Sequence, residues 1–216
     1  MPILEKTVLP DGKILHVDTS TGQSFRRVEG GLAWPGLGPG FGLVVGEAAV
    51  LDQTVGRFPL HVLYEFEELD LGRLIDRAVE TAREYQVDLW HGDRGDRVAL
   101  SIMMEKQQDF YREGLVGVNL VPAPGGEEPL AFRFCTEVMR EFLQPGRKLL
   151  YLGEESRLPI VLQEAPPDLS LAGSAAEFPA IAALAYVTAA LKITDTVGAK
   201  PPVRKMRTER RHFRKP

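Results

Sequence analysis

Gly42-Leu-Val-Val-Gly-Glu47, Leu60-His-Val-Leu-Tyr-Glu-Phe-Glu67, the segment 70–87 and Val87-Asp-Leu-Trp-His-Gly-Asp-Arg-Gly-Asp96 together decide the fold. The first run is apolar on both faces, as a central strand requires, and ends on a carboxylate. In the second, Leu60, Val62, Tyr64 and Phe66 point one way and His61, Leu63, Glu65 and Glu67 the other. That alternation predicts a half-buried strand antiparallel to its predecessor. In the third, Leu71, Leu74, Ile75, Ala78, Ala82 and Tyr85 recur at helical spacing, with Asp70 as the N-cap. The fourth is strand-like and empties into an acidic, glycine-containing loop. Strand, hairpin partner, helix, strand and loop form the front half of an α/β layer fold.

Outward from this stretch the same alternation continues. Residues 97–113 read as a helix, and Val116-Gly-Val-Asn-Leu-Val121 as a strand stopped by Pro122 and Pro124. Residues 127–143 read as a helix with Leu130, Phe134, Val138 and Phe142 on its apolar stripe, ended by Pro145-Gly146. Cys135 lies on the apolar side of that helix, as a buried structural thiol would. Leu149-Leu-Tyr-Leu152 and Ile160-Val-Leu162 are short apolar pieces among turn residues. Residues 178–193 read as an alanine-rich helix, apolar nearly all round, to be buried against the sheet or a partner copy.

Upstream, Lys13-Ile-Leu-His-Val-Asp18 and Gln23-Ser-Phe-Arg-Arg-Val28 are strand-like around the turn-rich Thr19-Ser-Thr-Gly22. The glycine- and proline-rich segment 34–42 precedes a strand and carries Pro39, whereas a phosphate-cradling loop follows a strand and opens a helix. The expected organisation is a β extension with that loop over 1–40, an α/β domain over 41–199 and a basic tail over 200–216. After the extension, three leading strands (41–50, a short one over 52–58, and 60–67), then alternating helix and strand, predict a mixed sheet with helices on both faces.

With 216 residues, 44% of them hydrophobic and 26% charged, the chain reads as an ordinary globular protein. A single cysteine excludes an intrachain disulfide framework and a cysteine-rich zinc site. No basic stretch leads into an apolar core at the N-terminus, and no apolar run reaches the roughly 20 residues of a membrane span. A cytoplasmic location without membrane contact is expected. The net charge of −4 hides an asymmetry: residues 200–216 carry eight Lys or Arg against Glu209, a net +7 on a body of about −11. Arg204, Lys205, Arg207, Arg210 and Arg211 in that tail are candidates for nucleic-acid phosphate contacts. The alternative is a solubilising terminus that touches its own acidic surface.

The element order over about 41–192 resembles the ribonuclease H-like fold, and within it the nuclease domain of phage terminase large subunits. Gly46-Glu47 is similar to the Gly-x-Asp of that family's first strand, and Asp93-Arg-Gly95 looks like the aspartate and glycine-containing loop after its fourth. Ala182-Ala-Leu-Ala-Tyr186 resembles the Asp-Ala-Leu-Ala-Tyr of its last helix, with Ala182 where the family has aspartate and Glu177 the nearest upstream acid. The resemblance implies a mixed five-stranded sheet and two-metal cleavage of DNA, in which Mg²⁺ or Mn²⁺ ions roughly 4 Å apart are held by converging carboxylates. The implied catalytic residues are Glu47 and Asp93, and the implied metal ligands Glu47, Asp93, Asp96 and Glu177. Each acid also has a plainer role: Glu47 closing a strand, Asp93 and Asp96 shaping a turn. The missing aspartate at Ala182 supports a second expectation, a non-catalytic relative that binds nucleic acid or assembles with other phage proteins. A third is that the apolar last helix builds a homo-oligomer.

Overall fold

The computed structural model describes residues 3–36, 38–92, 98–99, 101–102, 104–106, 120–125, 130–144, 149–165 and 175–197. The strands are β1 (Leu4–Val8), β2 (Ile14–Asp18), β3 (Ser24–Ala33), β4 (Gly40–Ala48), β5 (Leu60–Glu68), β6 (Leu89–Gly92), β7 (Leu120–Pro122) and β8 (Leu150–Tyr151). The helices are α1 (Leu71–Tyr85), α2 (Leu130–Arg140), α3 (Leu158–Glu164) and α4 (Pro179–Val197).

All eight strands join one mixed sheet. Its centre reads β5-β4-β3-β6-β7: β4 is antiparallel to both its neighbours, and β6 and β7 run parallel to β3. Helix α1 covers one face, and α2 and α4 cover the other. This is the mixed sheet, with helices on both faces, that the alternation of elements predicts. Asp70 caps α1 as expected, its carboxylate accepting from the Arg73 N–H at 2.9 Å. The helix stops at Gln86, which is left-handed at φ 54°.

The central strand is not the one that hydropathy selects. β3, which the sequence reading places wholly within the N-terminal β extension, pairs with β4 along most of its length and with β6 over Glu29–Leu89 to Leu32–Gly92. β4 is therefore second in the core, with β3 between it and β6. The hairpin β1–β2 attaches through His16–Phe25 and Val17–Ser24 at the start of β3, so the extension continues the same sheet. His16 is 1% exposed, and with Lys6 it ties the hairpin to Asp88 at the head of β6, at 3.0 and 2.7 Å.

Two further expectations shift by a residue. A bulge opposite Val44–Val45 flips β5 midway, so Leu60 and Val62 face α2 and α4 while Tyr64 and Phe66 face α1. In α2 the buried side chains are Ala131, Phe132, Cys135, Thr136 and Met139, and Leu130 and Phe134 are exposed.

Helix α4 is buried throughout 180–191, between the sheet and α2. Its apolar circumference is consumed within this chain, so that stretch offers no face for a partner copy. Close approach depends on Gly31: a Cβ there would lie 2.0 Å from the Ala183 carbonyl oxygen. Opposite it in phase, Gly30 receives the Trp90 ring, 2.3 Å from where its Cβ would stand. Glycines inside a strand here mark a helix and an indole packed directly onto backbone.

Gly31→Ala must lift α4 from β3 and is expected to cost about 3 kcal/mol, read as a lowered urea midpoint. Gly38→Ala, with nothing within 4 Å, is expected to change little; equal effects would refute the close-packing account. A second expectation concerns acid. Burial raises the Asp88 carboxyl pKa, but the His16 and Lys6 bonds outweigh it and hold the group below its ordinary value. A depressed carboxyl stabilises the fold above its unfolded pKa and loses that contribution as pH falls through the folded one. Asp88→Asn should therefore lower the urea midpoint at pH 7, with the deficit shrinking below about pH 4. A deficit constant to pH 2 would show that the carboxylate charge plays no part.

Candidate functional site

The face of the sheet beneath α4 carries two polar centres. The first is at its middle. Glu29 on β3 and His91 on β6 are 5% and 6% exposed, and their side chains meet, Nε2 to Oε2, at 2.6 Å. Glu29 shares its face with Gly31, which pairs with His91, so both side chains lie on the α4 side. A carboxylate only accepts, so His91 donates from Nε2. His91 Nδ1 is buried with no partner among the described residues. Burying the Glu29 charge costs several kcal/mol unless it is paired, and His91 supplies that pairing.

The second centre lies at the start of β3, under the last turns of α4. Glu47 is 1% exposed and stands opposite Arg27 in the β3–β4 register. Arg26 donates from Nε and Nη2 to Oε2 and Oε1 of Glu47, at 2.7 and 2.8 Å. Arg27 donates from Nε to Oε2 at 2.6 Å and from Nη2 to the Leu191 carbonyl at 2.9 Å. A bulge between Phe25 and Arg27 brings these neighbouring arginines onto one carboxylate. The Arg26 guanidinium lies over the Phe58 ring, 3.5 Å from its centroid. Beside it opens a cleft of about 350 Å³, lined by Arg26, Glu47, Arg57, Phe58, Phe142 and Lys192 among others.

Glu47 and Glu177, two of the acids expected to converge, are held apart. Glu47, expected to share a corner with the end of β6, faces Arg27, and Gly92 at that end faces Leu32, five residues along β3. At about 3.3 Å per residue the separation is about 17 Å along the strand. The cause is direction: β4 runs opposite to β6, with β3 between them. Glu177 precedes α4 and lines a cleft with Glu67 and Glu164, whereas Glu47 sits by Leu191. Residues 179 and 191 are about 18 Å apart along a helix, so Glu47 and Glu177 occupy opposite ends of α4. Asp93, Asp96 and the tail residues Arg204, Lys205, Arg207, Arg210 and Arg211 lie outside the described residues.

Among the described residues no group of three or more His, Cys, Asp or Glu is placed to hold a metal ion. The electrostatics at Glu47 explain why it suits arginine better than a dication. With an effective dielectric of about 20, a dication about 2.2 Å from one carboxylate gains roughly 15 kcal/mol, and two guanidiniums about 5 Å away take back roughly 13. Ala182 and Ala183 supply no charge from α4; their side chains are fully buried.

Glu29 and His91 are absent from the sequence-level site, although a signal existed. Val28-Glu-Gly-Gly-Leu32 puts a carboxylate before two glycines in an apolar run. The glycines read as the end of a strand, whereas here they continue it where other groups approach the backbone.

This topology defines the class as mixed α/β, consistent with a ribonuclease H-like fold. No family model and no curated protein matches the sequence. Among solved structures the chain is similar to the fowlpox virus Holliday junction resolvase, with a TM-score of 0.41 and 10% identity, over 79% of this chain and 99% of that one. No helix among the described residues is long and apolar enough to cross a membrane.

Removing the Glu47 carboxylate strands two guanidiniums at its site. Glu47→Ala is expected to cost about 3 kcal/mol, by chemical denaturation, and Arg26→Ala less, because Arg27 remains on Glu47. A loss below about 1 kcal/mol for Glu47→Ala would mean that the carboxylate does not hold the pair.

Proposed function

We propose that this chain is a ribonuclease H-like nucleic-acid-binding module, related to phage terminase nuclease domains in scaffold, and that it does not carry out metal-dependent cleavage. The observation that carries this reading is the use already made of its carboxylates. Glu47 is held by two arginines, and Glu29 is hydrogen-bonded to His91. Two-metal hydrolysis needs several carboxylates converging on one point.

Nucleic-acid binding is supported by charge. The +7 of residues 200–216 follows directly on the helix that ends at Val197. DNA is the partner this reading names, with assembly alongside other phage proteins as its setting. The tail supplies phosphate contacts that fix affinity without fixing sequence.

Incubation of the purified chain with supercoiled plasmid and with branched DNA, in Mg²⁺ or Mn²⁺, tests the reading. No cleavage above a protein-free control is expected, together with DNA binding that weakens steeply between about 50 and 200 mM salt. Metal-dependent cleavage that disappears in Glu29→Gln or Asp93→Asn would overturn it and establish a nuclease.

A further inference from the structure

The β1–β2 hairpin is held to the body at few points. β1 is the outermost strand of the sheet, with β2 as its neighbour, and β2 meets β3 over His16–Phe25 and Val17–Ser24. Two side chains of these strands are buried, Leu4 and His16. Leu4 joins the core that holds Phe25, Tyr85 and Trp90, whereas Val8 and Ile14 stand exposed. At the end of α1 the Ile3 N–H donates to the Glu84 carbonyl at 2.7 Å. The remaining tie is Asp88, just ahead of β6. Its Oδ1 accepts from the Lys6 ammonium of β1 at 2.7 Å, and its Oδ2 lies 3.0 Å from His16 Nε2 of β2. One carboxylate thereby holds both strands.

Against these ties stands the other nitrogen of the same imidazole. His16 Nδ1 is buried without a hydrogen-bond partner. Docking takes water from that atom and gives nothing back, and undocking restores it.

From these attachments we propose that the hairpin is a strap that lifts from β3 as one unit while the rest of the sheet stays folded, with Asp88 as its latch. Local opening occurs where little apolar surface is lost and polar groups regain water, and here the loss is essentially Leu4. A two-stranded ribbon is marginal alone in water, so a lifted strap also gives up the β1–β2 ladder and its amides open together. β4 and α4 are placed differently. β4 has a strand on either side, and α4 is buried throughout 180–191, so they open only with the whole molecule. Lifting bares Asp88, His16 and the edge of β3 at Ser24 and Phe25. That edge is covered or open according to what one carboxylate holds.

Amide hydrogen exchange of the full chain, followed residue by residue by NMR, tests the strap. Ile3 and the amides bonded across the hairpin are expected to exchange at least about 100-fold faster than those of Leu43–Val45 and of 181–190 in α4. Asp88→Asn weakens the closed state and is expected to speed the hairpin amides about ten-fold. Lys6→Gln, on a side chain 38% exposed, should speed the same amides by a smaller factor and serves should Asp88→Asn not fold. Gly31→Ala strains a contact that the lifted state retains. It is expected to speed the β4 and α4 amides at least about ten-fold and to leave the hairpin unchanged. Equal acceleration of hairpin and β4 by Gly31→Ala would mean that they open together, which overturns the strap. Hairpin exchange unmoved by both Asp88→Asn and Lys6→Gln would overturn the latch.

Discussion

The contact on which the molecule turns is the seating of α4 on β3, backbone against backbone, where the Ala183 carbonyl meets Gly31. A side chain at that position would push the helix away and open the core it shares with α2. Everything on this face follows from the closeness. The helix has to be apolar on all sides, because the sheet covers one and α2 another. Glu29, two residues before Gly31, is sealed beneath the helix and needs a partner that is itself buried, which His91 provides. Further along, the same helix brings the Leu191 carbonyl to Arg27 and Lys192 to the cleft.

Burial also organises the charges. A carboxylate deep in a protein is costly alone and tolerable with a good partner. The two buried acids on the α4 face are satisfied differently: Glu29 by one imidazole, Glu47 by two guanidiniums from adjacent residues. Glu141 likewise meets two cations, Arg57 and Lys192. One cleft, lined by Arg26, Glu47, Arg57 and Lys192 among others, opens where α4 ends, and another, lined by six carboxylates and three arginines, lies between β5 and α1.

The proposed binding role asks nothing of these acids as metal ligands. Two-metal chemistry places anionic oxygens around cations, whereas the cleft at Glu47 places cations around anionic oxygens. The same carboxylate that the family resemblance marks as a ligand is, in this fold, the group that orients arginines. A mixed α/β sheet supports either arrangement, since the fold fixes where strand ends lie and the side chains decide what they hold.

Periodicity by itself determined α1 with its Asp70 cap, the apolar run of β4, the β5 strand, the all-round apolar α4 and the mixed α/β class. Each depends on local spacing, which a helix or strand expresses within a few residues. Tertiary structure decided the rest. Only pairing shows that β3 is the central strand: the glycines at 30 and 31 break the hydropathy pattern, yet they are required by Trp90 and Ala183, far away in sequence. Strand direction set Glu47 and the end of β6 at opposite ends of the sheet, because an antiparallel neighbour reverses which end a C-terminal residue occupies. The bulges in β3 and β5 were equally invisible, since one extra residue moves every later side chain to the other face without changing composition. What Glu47 does was settled by its partners, two arginines whose meeting with it exists only once β3 and β4 are side by side.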